Sequence, residues 1–219
     1  PMETPPVNNI PTEIKMISLD KAEVEVTIKA RNEIYSRFAK LNDMNSDEVR
    51  ESLSEYVFSR ADIVDISGYE IKTDEDRNEV TVKLKAEMTP PVIKSTDRYY
   101  FAETISQFGF WGPLFRSEKK RTSDIYIGRL RNIEVLFELT LPEGFSFSDP
   151  DKRKYDVSLG EIIKTETDLM PEGGKYYRKY SISYLKNFVP AEKEKEYSEF
   201  LYNTGRQEYS IVFEKKEGD

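Results

Sequence analysis

Cysteine and histidine are both absent from the 219 residues, and tryptophan occurs once. Without cysteine there is no disulfide framework, no thiol nucleophile and no thiolate ligation of zinc or iron–sulfur clusters. Without histidine the chain lacks the commonest general base, the usual catalytic zinc ligand and the axial haem ligand of globins. Basic charge is also short. Lys and Arg number 33 against 41 Asp and Glu, a net of -8, which is the wrong balance for a nucleic-acid-binding face. No apolar run approaches the roughly 18 residues that a membrane-spanning helix needs.

Aromatics are plentiful. The 14 Tyr and 12 Phe each offer roughly 150–250 Å² of burial, and disordered chains are poor in such side chains. The chain opens Pro1-Met2. With no leading Met and no signal-peptide pattern, this reads as the start of an excised or processed fragment.

Residues 1–11 hold four prolines and no apolar periodicity, and read as a linker or extended lead-in. A short strand is expected over Glu13–Leu19. Ala22, Val24, Val26, Ile28 and Ala30 then alternate with Lys21, Glu23, Glu25, Thr27 and Lys29, the pattern of a strand with one solvated face. An amphipathic helix is expected over 45–60. Asn45 and Glu48 have capping-box spacing, and Val49, Leu53, Tyr56 and Val57 form one stripe. Strand character returns over 63–71 and 80–88, around a charged turn at Asp74–Asn78, and Pro90-Pro91 ends the run. Residues 12–93 thus read as a β-β-α-β-β unit.

Residues 94–219 read as a second, sandwich-like unit. Strands are expected at 98–104, 124–128, 133–141, 155–159, 161–169, 175–185 and 209–214. Turns are expected at Pro142-Glu143-Gly144 and Pro171-Glu172-Gly173-Gly174. Pro190 opens a helix over 190–205 with Tyr197, Phe200 and Leu201 as its apolar stripe. About ten strands, two peripheral helices and short connections predict a mainly β, α+β fold of antiparallel sheets in a sandwich-like arrangement.

The remaining chemistry is sparse. A Ser–Lys nucleophile remains formally open, but pairs such as Lys164–Thr165 are background in a chain this charged. Paired carboxylates can hydrolyse glycosides when about 5–10 Å apart. Asp62 with Asp65, and Glu166 with Asp168, have suitable spacing, but solvated strand faces explain them better. Asp74, Asp76 and Asn78 have the 1,3,5 spacing of a calcium loop. Glycine is missing at position 6, and Lys85 replaces the acid at position 12, so a polar hairpin turn is the better reading. No cofactor and no metal is expected. A basic cluster, Arg116, Lys119, Lys120 and Arg121 with Arg129 and Arg131, reads first as a charged loop. The most unusual segment is Phe108-Gly109-Phe110-Trp111-Gly112-Pro113-Leu114-Phe115, four aromatics in eight residues. With Arg116 and Arg121 beside it, this is the leading binding surface.

The order of the second unit resembles the C-terminal β-rich accessory region of bacterial transglutaminase-like proteins of the papain-like superfamily. The resemblance rests on an aromatic segment, then Arg121-Thr122-Ser123-Asp124-Ile125, then Leu141-Pro142-Glu143-Gly144-Phe145. A hairpin, the helix signature Glu196-Tyr197-Ser198-Glu199-Phe200-Leu201 and a closing strand follow. In the first unit the 22–30 strand, an Arg37-containing bend and the 45–60 helix are also similar. The family's Cys-His-Asp residues match nothing here, so no catalytic role carries over. The resemblance implies a non-enzymatic accessory or interaction domain with an upstream transglutaminase-like core in the same polypeptide as its partner. It also implies an extracytoplasmic location. A protein or glycan ligand is expected, with no nucleic acid and no membrane span. The alternative is a carbohydrate-binding module built around Trp111, and a carboxylate glycosidase is the third reading.

Overall fold

In a computed structural model of the chain, the described residues are 7–31, 33–58, 64–102, 122–127, 132–148, 154–172, 174–205 and 210–216. Among the described residues strands account for 55% and three short helices accompany them, in agreement with the expected β-rich α+β class. The first half runs β1 (Val7–Met16), β2 (Ala22–Arg31), α1 (Glu33–Ala39), α2 (Ser46–Val57), β3 (Val64–Asp74) and β4 (Glu79–Met88). The second half runs β5 (Val92–Lys94), β6 (Tyr99–Ala102), β7 (Ile125–Tyr126), β8 (Asn132–Thr140), β9 (Phe145–Phe147), β10 (Lys154–Leu159), β11 (Ile163–Glu172), β12 (Lys175–Tyr184), β13 (Phe188–Val189), α3 (Glu194–Gly205) and β14 (Ser210–Lys215).

Eight strands form one open sheet in the order β10-β11-β12-β8-β1-β2-β4-β3. Strands of the 12–93 and 94–219 segments share this sheet, joined where β1 lies parallel to β8. That ladder is the one parallel pairing among the described strands, in sheets otherwise antiparallel as expected. The first strand differs from expectation, because it starts at Val7 inside the supposed lead-in and stops at Met16. Two buried polar residues, Asn8 and Thr12, interrupt its apolar face, and Pro11 sits within it. A central strand rarely admits proline. Here the β1–β2 register has no partners at Ile10 and Pro11, so the ladder skips the missing N–H.

Alternation places Ile14, Val24, Val26, Val82, Val135 and Ile182 on the inner face. Helices cover one half of that face and a second sheet covers the other. Phe38 of α1, Leu41, and Val49, Leu53 and Val57 of α2 are buried. The Asn45 side chain accepts from the Asp47 and Glu48 amides, and Glu48 reaches back to the Asn45 N–H at 3.0 Å. The predicted capping box is therefore formed, although α2 ends at Val57 rather than near 60. The bend at Arg37 is helix α1, too short at seven residues to show periodicity. The second sheet has the order β5-β6-β14-β9. Its Phe101 lies 6.2 Å from Phe137 of β8, and Phe147 lies 5.8 Å from Tyr176 of β12. On α3, Tyr197, Phe200 and Leu201 are buried, as the stripe predicts.

All three expected turns need left-handed backbone, Gly144 with φ 81 among them. Asn78 has φ 48 at the β3–β4 hairpin, and Gly174 has φ 80 at the β11–β12 hairpin. Strand β3 closes one edge of the large sheet. Arg50 of α2 donates to the Ile66 carbonyl there, its guanidinium stands 5.8 Å from the Tyr69 ring, and the register shifts between Ile66 and Gly68. Such devices blunt an exposed edge.

Candidate functional site

All six residues of the leading surface, Phe108, Phe110, Trp111, Phe115, Arg116 and Arg121, lie outside the described residues, as do Lys119, Lys120, Arg129, Arg131 and Asp62. Asp65 is exposed on β3. Glu166 is held by Lys164 on its own strand, the ordinary arrangement of a solvated face. The Asp74–Asn78 segment is a hairpin turn. The Asp74 carboxylate accepts from the Arg77 amide at 3.1 Å, and the Asn78 amide donates to the Glu75 carbonyl at 3.2 Å. Among the described residues no three acidic side chains gather closely enough to hold a metal ion.

The outer face of the large sheet is a field of ion pairs. Lys21 meets Glu87 at 2.8 Å, Lys85 meets Glu25 at 2.5 Å, and Lys179 meets Glu134 at 2.7 Å. Lys175 pairs with Glu138, and Glu70 takes Lys72 at 2.7 Å with Lys83 at 3.9 Å. Hydrogen bonds donated to these carboxylates raise Lys21, Lys85 and Lys175 above the ordinary lysine range. The Lys72 ammonium lowers Glu70. These shifts stem from exposed partners, so they describe a surface lattice and not an acid–base pair tuned for catalysis.

Two other surfaces carry unspent chemistry. The first is the ribbon β7–β13, four residues in antiparallel register. One cross-strand pair, Ile125 with Val189, points inward and is buried. The other, Tyr126 with Phe188, points outward at 61% and 51% exposure with ring centroids 5.2 Å apart. Leu185, three residues earlier, is also half-exposed. Two hydrogen bonds from backbone amides fasten the ribbon. The Ile127 N–H donates to the Asn187 carbonyl at 2.9 Å, and the Ala191 N–H donates to Asp124 Oδ1 at 3.1 Å.

The second surface is a cleft of about 730 Å³ at the end of the four-stranded sheet. Lys94, Lys215, Lys216, Thr96 and Ser146 line it over a Tyr99 floor, and Asp97 and Glu214 complete the rim. Sequence reading missed both surfaces. The Lys215-Lys216 doublet beside the closing strand is the one local signal for the cleft. Nothing local marks Tyr126 and Phe188, which are 62 residues apart.

No protein-family model, curated protein or solved structure matches the chain. The functional reading therefore rests on residues and geometry. The ribbon offers ring faces that a partner can bury, and the cleft offers ammonium and hydroxyl donors.

Proposed function

We propose that this chain is a non-catalytic interaction module, and that it serves the accessory role its resemblance implies, beside a transglutaminase-like core in the same polypeptide. The exposed Tyr126–Phe188 pair carries this reading. Rigid aromatic rings on a fastened ribbon lose little side-chain entropy when covered, which is why aromatics dominate interface energetics. The lack of thiol and imidazole in the sequence supports assigning the covalent chemistry to a neighbour.

The test has three parts. The coding sequence preceding residue 1 is read for a Cys-His-Asp core, and that core is titrated with this chain. Binding that weakens in the Tyr126→Ser/Phe188→Ser variant supports the proposal. Turnover of peptide, transamidation or glycoside substrates by this chain alone overturns it. The same ring pair also gives the carbohydrate-binding alternative a surface, because exposed ring faces stack on sugars. A glycan array signal that disappears in the double variant decides for that alternative.

A further inference from the structure

The lysine cleft stands apart from the aromatic ribbon and does not depend on the reading given to it. We propose that it binds a small multivalent oxyanion of the di- and triphosphate class. Charge is the first argument. On the outer face of the large sheet Lys21, Lys83, Lys85, Lys175 and Lys179 are each tied to a carboxylate. Lys94, Lys215 and Lys216 enter no ion pair among the described residues and, unlike the equally untied Lys15 and Lys29 of the large sheet, line one cleft. Among the described residues three ammonium groups line the cleft together with two carboxylates, Asp97 and Glu214, an excess of one positive charge on a chain of net -8.

Preorganisation is the second argument. Lys94 of β5 lies opposite Tyr99 of β6, with its ammonium 6.0 Å from the ring centroid. That ring is itself fixed, stacked on Phe213 at 5.3 Å and met edge-on by Phe145 at 5.4 Å. Lys215 lies opposite Phe145 in the β14–β9 ladder, and the Lys216 N–H donates to the Gly144 carbonyl at 2.9 Å. Thr96 sits in a turn closed by the Ser95 N–H donating to the Arg98 carbonyl at 2.8 Å. Two of the cations are therefore anchored on paired strands and the third at a backbone bond just beyond them. The hydroxyls of Thr96 and Ser146 add neutral donors. Fixed donors lower the ordering cost of binding, and ammonium–phosphate hydrogen bonds are the strong, charge-assisted kind. A space of about 730 Å³ accommodates more than one phosphate group.

Calorimetric titration of the full chain with inorganic triphosphate at moderate salt is the test, with sedimentation against phosphoinositide-containing vesicles as a second arm. Saturable one-site binding is expected. The Lys94→Gln/Lys215→Gln variant should weaken it about tenfold or more, while Lys15→Gln/Lys29→Gln, with the same charge change on the large sheet, should leave it intact. Circular dichroism confirms that both variants fold. Binding to vesicles that free triphosphate competes away supports the site with a lipid headgroup as its source. Binding of free triphosphate alone supports it with a soluble source. Equal weakening by the two variants, or no saturable binding in either arm, overturns it.

Discussion

The two sheets of this protein present opposite outer faces. The eight-stranded sheet ends in Lys–Glu pairs that satisfy one another across neighbouring strands. The four-stranded sheet carries Ile93, 65% exposed, opposite Tyr100, which lies opposite Val212, while Lys94 and Lys215, on its other face with Tyr99 and Phe213, enter no ion pair among the described residues. A face whose charges are mostly matched has little left to offer a ligand. A sheet with an apolar outer face, and with cations at its end that no described carboxylate ties, has more to offer. The difference separates scaffold from binding surface within one fold.

The contrast can be broken most severely at the joint between the layers. Phe137 is 2% exposed and meets Phe101 across that joint. Phe137→Ala should cost about 3–5 kcal/mol in a urea unfolding curve, whereas Ile93→Ala should stay within about 0.5 kcal/mol. Equal costs at the two positions would show that the small sheet does not seal the large one. The capping box comes next. Asn45→Ala should lower stability by about 1 kcal/mol, read from the same curve with helix content followed by circular dichroism.

Thr12 sharpens the comparison from inside. Its hydroxyl is buried without a hydrogen bond among the described residues, so Thr12→Val should leave stability unchanged or raise the thermal midpoint. A clear loss would mean that the hydroxyl has a polar partner in the folded protein.

The smallest effect belongs to the ion-pair lattice. Lys21, Lys85 and Lys175 are raised above 10.5, so their contribution is complete below that value and fades as pH climbs through the folded values. Glu70 is lowered from 4.5, so its contribution is present above that value and fades as pH falls through its folded value. Unfolding midpoints should soften slightly at both extremes, and salt should shrink the difference. A steep loss near neutrality would contradict a lattice of exposed pairs.

Local order was readable wherever one short-range pattern dominated. Alternation marked β2, β4 and β8, and β12 was expected as the return strand after a turn. The Asn45–Glu48 spacing marked the start of α2, and Gly174 marked a hairpin. β1 was misread because Asn8, Pro11 and Thr12 obscure its period. β5, β9, β13 and α1 were missed because elements of two to seven residues hold too few positions to repeat a pattern. The segment chosen for function, around Trp111, stood out by composition, which reports where aromatics are and not what they face.

Periodicity is a property of neighbours along the chain, so the sequence alone could specify strands, caps, turns and the side on which each strand is apolar. Which strands lie side by side depends on burial and hydrogen bonding between distant residues. Folding alone therefore set β1 against β8, Lys94 near Lys215 across 121 positions, and Tyr126 against Phe188. Both surfaces to which function is assigned exist only once those pairings have formed.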